Sequence, residues 1–214
     1  MEPSAEELEK LNAERRLALY VGLYVGGVNK LDGTLTVLIG NLVYKEHARL
    51  GLAAGESYSS KVRMISALWP RAWTGRDRFL NGLRDVGAHR NKLAHWSPGP
   101  DWTKIFASET EFEDGDLPYL LESGRFDRRG FPVSMSFTPA AFWKWHLRQS
   151  MLYYVCDAMF FTLDLHQETF PPFDLQEFLD GMATSSVFTG WAKDPRWGAD
   201  VRLTFGEPSV DEPW

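Results

Sequence analysis

Between Arg76 and Trp96 the apolar residues Phe79, Leu83, Val86 and Leu93 recur at steps of four, three and seven. That spacing belongs to a helix with one buried face. The segment "SPGP" at 97–100, with two prolines and a glycine, stops it. One member of the seam is missing, because position 90 is an arginine. An unpaired guanidinium on a buried face is costly. Arg90 therefore needs an acid partner, a reach past the helix end, or an opening into a cleft.

Other segments follow the helical period as well. Ser4 can cap a helix over residues 5–28, and Glu6 and Glu7 suit its positive start. Gly22, Gly26 and Gly27 weaken it, and their roughly helical spacing admits a second helix at close range. A second apolar helix is expected from about Leu31 to Leu50, ending near Gly51. "GLAAGESYS" reads as a loop, and "SSKVRMISALW" as a short helix stopped by Pro70. Residues 101–139 lose the period. "TKIFAS" and "FPVSMSFT" have strand character around the acidic "TEFEDGDLP", which fits a β-hairpin or an ordered long loop. Thr138 and Pro139 form a helix start, with threonine as cap and proline in the first turn. The helix they open is expected to reach about His166, through "MLYYVCDAMFFTLDL". A short helix, "DLQEFLDGM", precedes a tail containing Trp191, Trp197 and Trp214. The expected class is all-α: a bundle of four to five helices, with a partly extended or β-hairpin insertion (about 101–138) before the last long helix. Residues 1–170 form the helical domain in this reading, and 171–214 an extension packed on it.

Composition narrows the function. Hydrophobic content of 44% and charged content of 24% belong to a folded globular chain. Nine tryptophans within 14% aromatics suggest broad packing or stacking surfaces. The single cysteine, Cys156, excludes an internal disulfide and a cysteine-rich zinc cluster. Its neighbours in "LYYVCDAMFF" make it a buried, inert thiol rather than a nucleophile. A net charge of −6 argues against a broad basic face wrapping long nucleic acid, though it leaves room for a small, locally basic site. The acidic N-terminus "MEPSAEELEK" has no early apolar core, so no signal peptide is expected. The apolar run "LALYVGLYVGGV" is too short to span a bilayer, which needs roughly 20 such residues. No membrane association and a cytoplasmic location are the expectation.

The chemistry concentrates in "RNKLAHW", residues 90–96. Side chains on a helix rotate by roughly 100° per residue. Asn91 and His95 therefore share one face, while Arg90 lies on the neighbouring one. Gly87, Ala88 and Arg84 continue the stripe behind Asn91. The negative end of the helix favours an imidazolium at His95, where it suits proton transfer at a phosphodiester oxygen. A guanidinium is always charged and binds phosphate bidentately. One arginine and one histidine are a thin kit. Two copies across a two-fold axis supply an acid, a base and a positive cradle. Against this stands a bland alternative, in which the same residues merely satisfy the last carbonyls of a structural helix.

"RNKLAH" resembles the Arg-Asn-x-x-x-His signature of the HEPN superfamily, with the small Ala94 directly before the histidine. The placement agrees, since the motif ends an inner helix and a further long helix follows. The resemblance implies a homodimer whose paired motifs face a shared cleft. It also implies a metal-independent endoribonuclease needing no cofactor, as found among toxins, phage-defence effectors and RNA-processing enzymes. RNA as substrate, and an antitoxin or regulatory protein as partner, come with it. Arg90 and His95 would be the catalytic pair and Asn91 their polar helper, cleaving through the RNA 2′-hydroxyl to leave a cyclic phosphate. A toxin subgroup paired with nucleotidyltransferase antitoxins carries a tyrosine two residues after the histidine, where this chain has Ser97. Other members keep the fold without catalysis, and a nucleotide- or partner-binding regulatory module is the alternative.

Supporting candidates are Asp85, Arg84 and His89, with His89 able to pair with Asp85 one turn back. His47 reads as a solvated helix end. Trp143, Lys144, Trp145, His146 and Arg148 form a patch that suits either base stacking or helix packing. His166, with Asp164 and Glu168, lacks the partnered histidine spacing of a metal site, so no metal is expected.

Overall fold

A computed structural model describes residues 5–44, 51–95, 97–100, 119–126, 128, 132–164 and 170–183. Their order is α1 (Ala5–Tyr44), α2 (Gly51–Ala54), α3 (Tyr58–Leu68), α4 (Arg76–His95), β1 (Ser97–Pro100), β2 (Tyr119–Phe126), β3 (Pro132–Phe137), α5 (Pro139–Asp164) and α6 (Leu175–Ala183). The described residues are mostly helical with one small sheet. Two compact units divide it: Met1–Gly26 with Ala88–Trp145, and Gly27–Gly87 with His146–Trp214. Helices α1, α4 and α5 each contribute residues to both.

The expected break near residue 28 does not occur, and α1 runs for 40 residues. Leu17, Tyr20, Tyr24, Val28, Leu31, Leu35, Leu38 and Leu42 are all buried, at unbroken steps of three or four. Burying each such side chain contributes about 1.5–3 kcal/mol, against about 1 kcal/mol lost per helical glycine. The seam wins. Gly27 has a further use: a Cβ there would sit 2.8 Å from Cδ of Gln149, a buried α5 residue. Gly87 likewise admits Tyr58, whose hydroxyl donates to the Leu83 carbonyl at 3.0 Å. Gly22 and Gly26 differ, since among the described residues an added Cβ at either meets nothing within 4 Å.

Helix starts and stops follow local chemistry. Ser57 caps α3, accepting from the Ser60 amide at 3.2 Å. Pro70 ends it by holding Trp69 in extended backbone, with ψ 119°. Thr138 Oγ1 accepts from the Ala141 amide at 3.2 Å at the head of α5, and Asp174 Oδ1 from the Glu177 amide at 3.0 Å at the head of α6. In the second unit Lys61, 2% exposed, donates to Asp32 Oδ2 at 2.6 Å and ties α3 to α1. Cys156 is buried, and burial pushes its thiol well above its ordinary value, as its apolar neighbours suggested.

The sheet is antiparallel in the order β1-β2-β3. Ser97 pairs with Glu122 and Pro100 with Tyr119, while Tyr119 pairs with Phe137 across the other edge. The segment "FPVSMSFT" supplies β3. "SPGP", expected only as a stop, forms β1, and "YLLESGRF" supplies the strand between. "TKIFAS", His47, His166 and the tail tryptophans lie outside the described residues. Among the described residues no helix is long and apolar enough to cross a membrane.

Candidate functional site

The motif occupies the last turns of α4 in the first unit. Leu93, 3% exposed, anchors this stretch. Lys92 reaches β3 and donates to Met135 Sδ at 3.4 Å. Strand β1 begins two residues beyond His95, so sheet pairing holds the chain directly behind the motif. Lys92 and His95 both fall in the final turn, where the helix dipole favours positive charge.

Asn91 and His95 are exposed, and Arg90 is half-buried. The seam positions Phe79, Leu83, Val86 and Leu93 are buried as their spacing requires. At position 90 the seam opens, and the guanidinium escapes burial rather than finding an acid. Its Nη1 donates to Asn91 Oδ1 at 3.2 Å, and no acid among the described residues lies within ion-pair distance. Asn91 thus orients the guanidinium by a single neutral contact, which leaves the positive charge available to an anion. Among the described residues Arg90 does not tie helices together through an ion pair.

The supporting candidates separate. Arg84 donates to Asn81 at 2.7 Å on the exposed surface, and Asp85 is exposed; both belong to the second unit. His89 lies in the first unit with the motif. Its ring stacks on Trp145 of α5, with centroids 4.2 Å apart and planes at 16°. Trp145 packs in turn against Phe137, and Phe137 against Tyr119. Sequence spacing gave no hint that the residue before Arg90 and the tryptophan of the "WKWH" patch are neighbours. His146, next in that patch, belongs to the second unit. Burial holds its imidazole below the ordinary value, and a hydrogen bond with Gln149 opposes the shift. Among the described residues no group of three metal-binding side chains comes together.

Comparison of the chain with protein-family models, with curated proteins and with solved structures gives no match. The likeness to the HEPN signature rests on residues 90–95 alone.

Proposed function

We propose that this chain is a metal-independent endoribonuclease with an HEPN-like fold, acting as a homodimer in a toxin or phage-defence role. The observation that carries the proposal is the state of the motif: an arginine on a helix seam that pairs with no acid among the described residues, beside an exposed asparagine and an exposed histidine. A purely structural arginine would be expected to hold an acid or to bridge elements.

In this mechanism Arg90 binds the scissile phosphate and stabilises charge as it builds on the non-bridging oxygens. The RNA 2′-oxygen forms a new bond to phosphorus, and the 5′-oxygen leaves. One copy of His95 takes the 2′-hydroxyl proton, and the partner subunit's His95 gives a proton to the leaving oxygen. Asn91 keeps the guanidinium in place. The α1 surface supports pairing of two chains, because Leu19 and Leu23 are 58% and 40% exposed beside the open Gly22 and Gly26.

The test is incubation of purified protein with RNA in EDTA, beside Arg90→Ala and His95→Ala. Cleavage that leaves 2′,3′-cyclic phosphate ends and is lost in both variants supports the proposal. Equal residual cleavage by all three proteins refutes it. The net charge of −6 favours a second reading, a module that holds a nucleotide without turnover. Nucleotide binding that depends on Arg90, with no RNA cleavage, would select it.

A further inference from the structure

We propose that Lys92 is a positioning residue: by donating to Met135 Sδ of β3 at 3.4 Å, it holds the turn of α4 that carries His95. This rests on Arg90 and His95 being the catalytic pair. Both ends of the contact lie in the first unit with the motif. At roughly 100° per residue, Lys92 stands beside His95 on the helix surface and a quarter turn or so from Leu93. Leu93, 3% exposed, anchors one side of the turn. Lys92 anchors the side on which His95 lies.

The acceptor is itself held in place. Met135 is in register with Leu121, which is 0% exposed, and it shares a strand face with Phe137, 3% exposed. The thioether therefore sits on paired, packed backbone rather than on a loop. His95 lies more than one helical turn beyond Arg90. It keeps its distance from the guanidinium only while the turn between them, which Lys92 occupies, stays helical. A single anchor lets a final turn roll about the helix axis, whereas two anchors on different faces fix its rotation. The residue types also fit position better than stability. A thioether is a weak acceptor, and ordering a lysine costs more side-chain entropy than ordering most residues. A fully solvated lysine would complement the helix dipole as well. Here Lys92 and Met135 are instead both half-buried.

Lys92 makes a further interaction besides this one, so the test is a double-mutant cycle, which isolates the pairwise contribution. The variants are Lys92→Ala, Met135→Leu, the two combined, and Lys92→Arg. Met135→Leu conserves volume and keeps the lysine charge while removing the acceptor. Hydrogen exchange is read at the amides of Ala94 and His95, and kcat and KM on RNA in EDTA. Either single change should speed exchange about 2- to 10-fold, the contribution of one hydrogen bond, and the combined variant should exchange no faster than Lys92→Ala. Both should lower kcat about 10- to 100-fold, the effect of a misplaced group, with KM nearly unchanged. Lys92→Arg, which still donates, should restore most of the rate. Unchanged exchange in Met135→Leu, or effects that multiply in the combined variant, overturns the proposal. So does a cleaving Met135→Leu protein with normal kcat, or a rise in KM confined to Lys92→Ala, which marks a direct RNA contact. Coupled exchange effects without any RNA cleavage keep the tether and remove the nuclease. Cleavage that depends on His95, with exchange untouched, does the reverse.

Discussion

Replacing Arg90 by alanine separates the two roles a cation on a helix seam can have. Its guanidinium makes one exposed hydrogen bond, 3.2 Å to the side chain of the next residue. Losing such a bond removes about 0.5 kcal/mol, the weak end of the range for net hydrogen bonds. The half-buried methylene stem adds on the order of 0.5 kcal/mol of lost apolar contact. Alanine is a slightly better helix former than arginine and returns about 0.2 kcal/mol. The expected destabilisation is therefore about 1 kcal/mol or less. Removing one partner of a buried ion pair would instead destabilise by about 3–5 kcal/mol. Urea unfolding reads the difference as a shift in midpoint at unchanged slope. A loss of about 3 kcal/mol or more would refute the view that Arg90 is uncommitted within its own chain. In the RNA assay the same folded variant should lose about 100- to 1,000-fold of its rate, the usual effect of removing one charge-stabilising donor.

Three further perturbations probe the rest of the fold. Gly22→Ala and Gly26→Ala should each add about 1 kcal/mol to the stability of the isolated chain, whereas Gly27→Ala crowds Gln149 and should lower it. Equal gains at all three positions in thermal unfolding would contradict the packing described, and sedimentation of the first two reports whether that face pairs with a second copy. Lys61→Met strips Asp32, whose buried Oδ1 has no hydrogen-bond partner among the described residues, of its ion partner. A loss of about 3 kcal/mol is expected in urea, because Asp32 stays partly solvated and limits the penalty. For His146 the folded state holds the pKa below the ordinary 6.5, so the unfolded chain binds the proton more readily. Its contribution is complete above pH 6.5 and is lost as the pH falls from there through the lower, folded value. Stability measured across that window should fall more in wild type than in His146→Gln, and identical curves would exclude the shift.

Where local chemistry decides structure, the sequence is a good guide. The end of α3 before Pro70, the Thr138 cap and the seam of α4 were all legible from residue type and spacing. The continuity of α1 was not, because glycine propensity acts at single residues whereas the seam that overrides it extends over more than six turns. Strand β1 was hidden for a related reason. Prolines and glycine mark "SPGP" as a stop, and only its pairing with β2 makes it a strand. At the site, Arg90, Asn91 and His95 could be singled out from six residues. The place of His89 could not, since its stack is made with a distant helix and leaves no periodic trace.

Helix C-termini commonly fray, and a catalytic residue in a final turn would then spend time in unproductive arrangements. Here the strand that begins two residues after His95 is zipped to β2 at four successive positions. Local opening of the motif turn therefore has to break sheet pairing as well as helix bonds, so the two should open together as one cooperative unit. Hydrogen exchange at the amides of Leu93, Ala94 and His95 should track that of β2, more slowly than expected for a free helix end. The motif's order would then depend on a sheet that contributes no residue to the proposed chemistry.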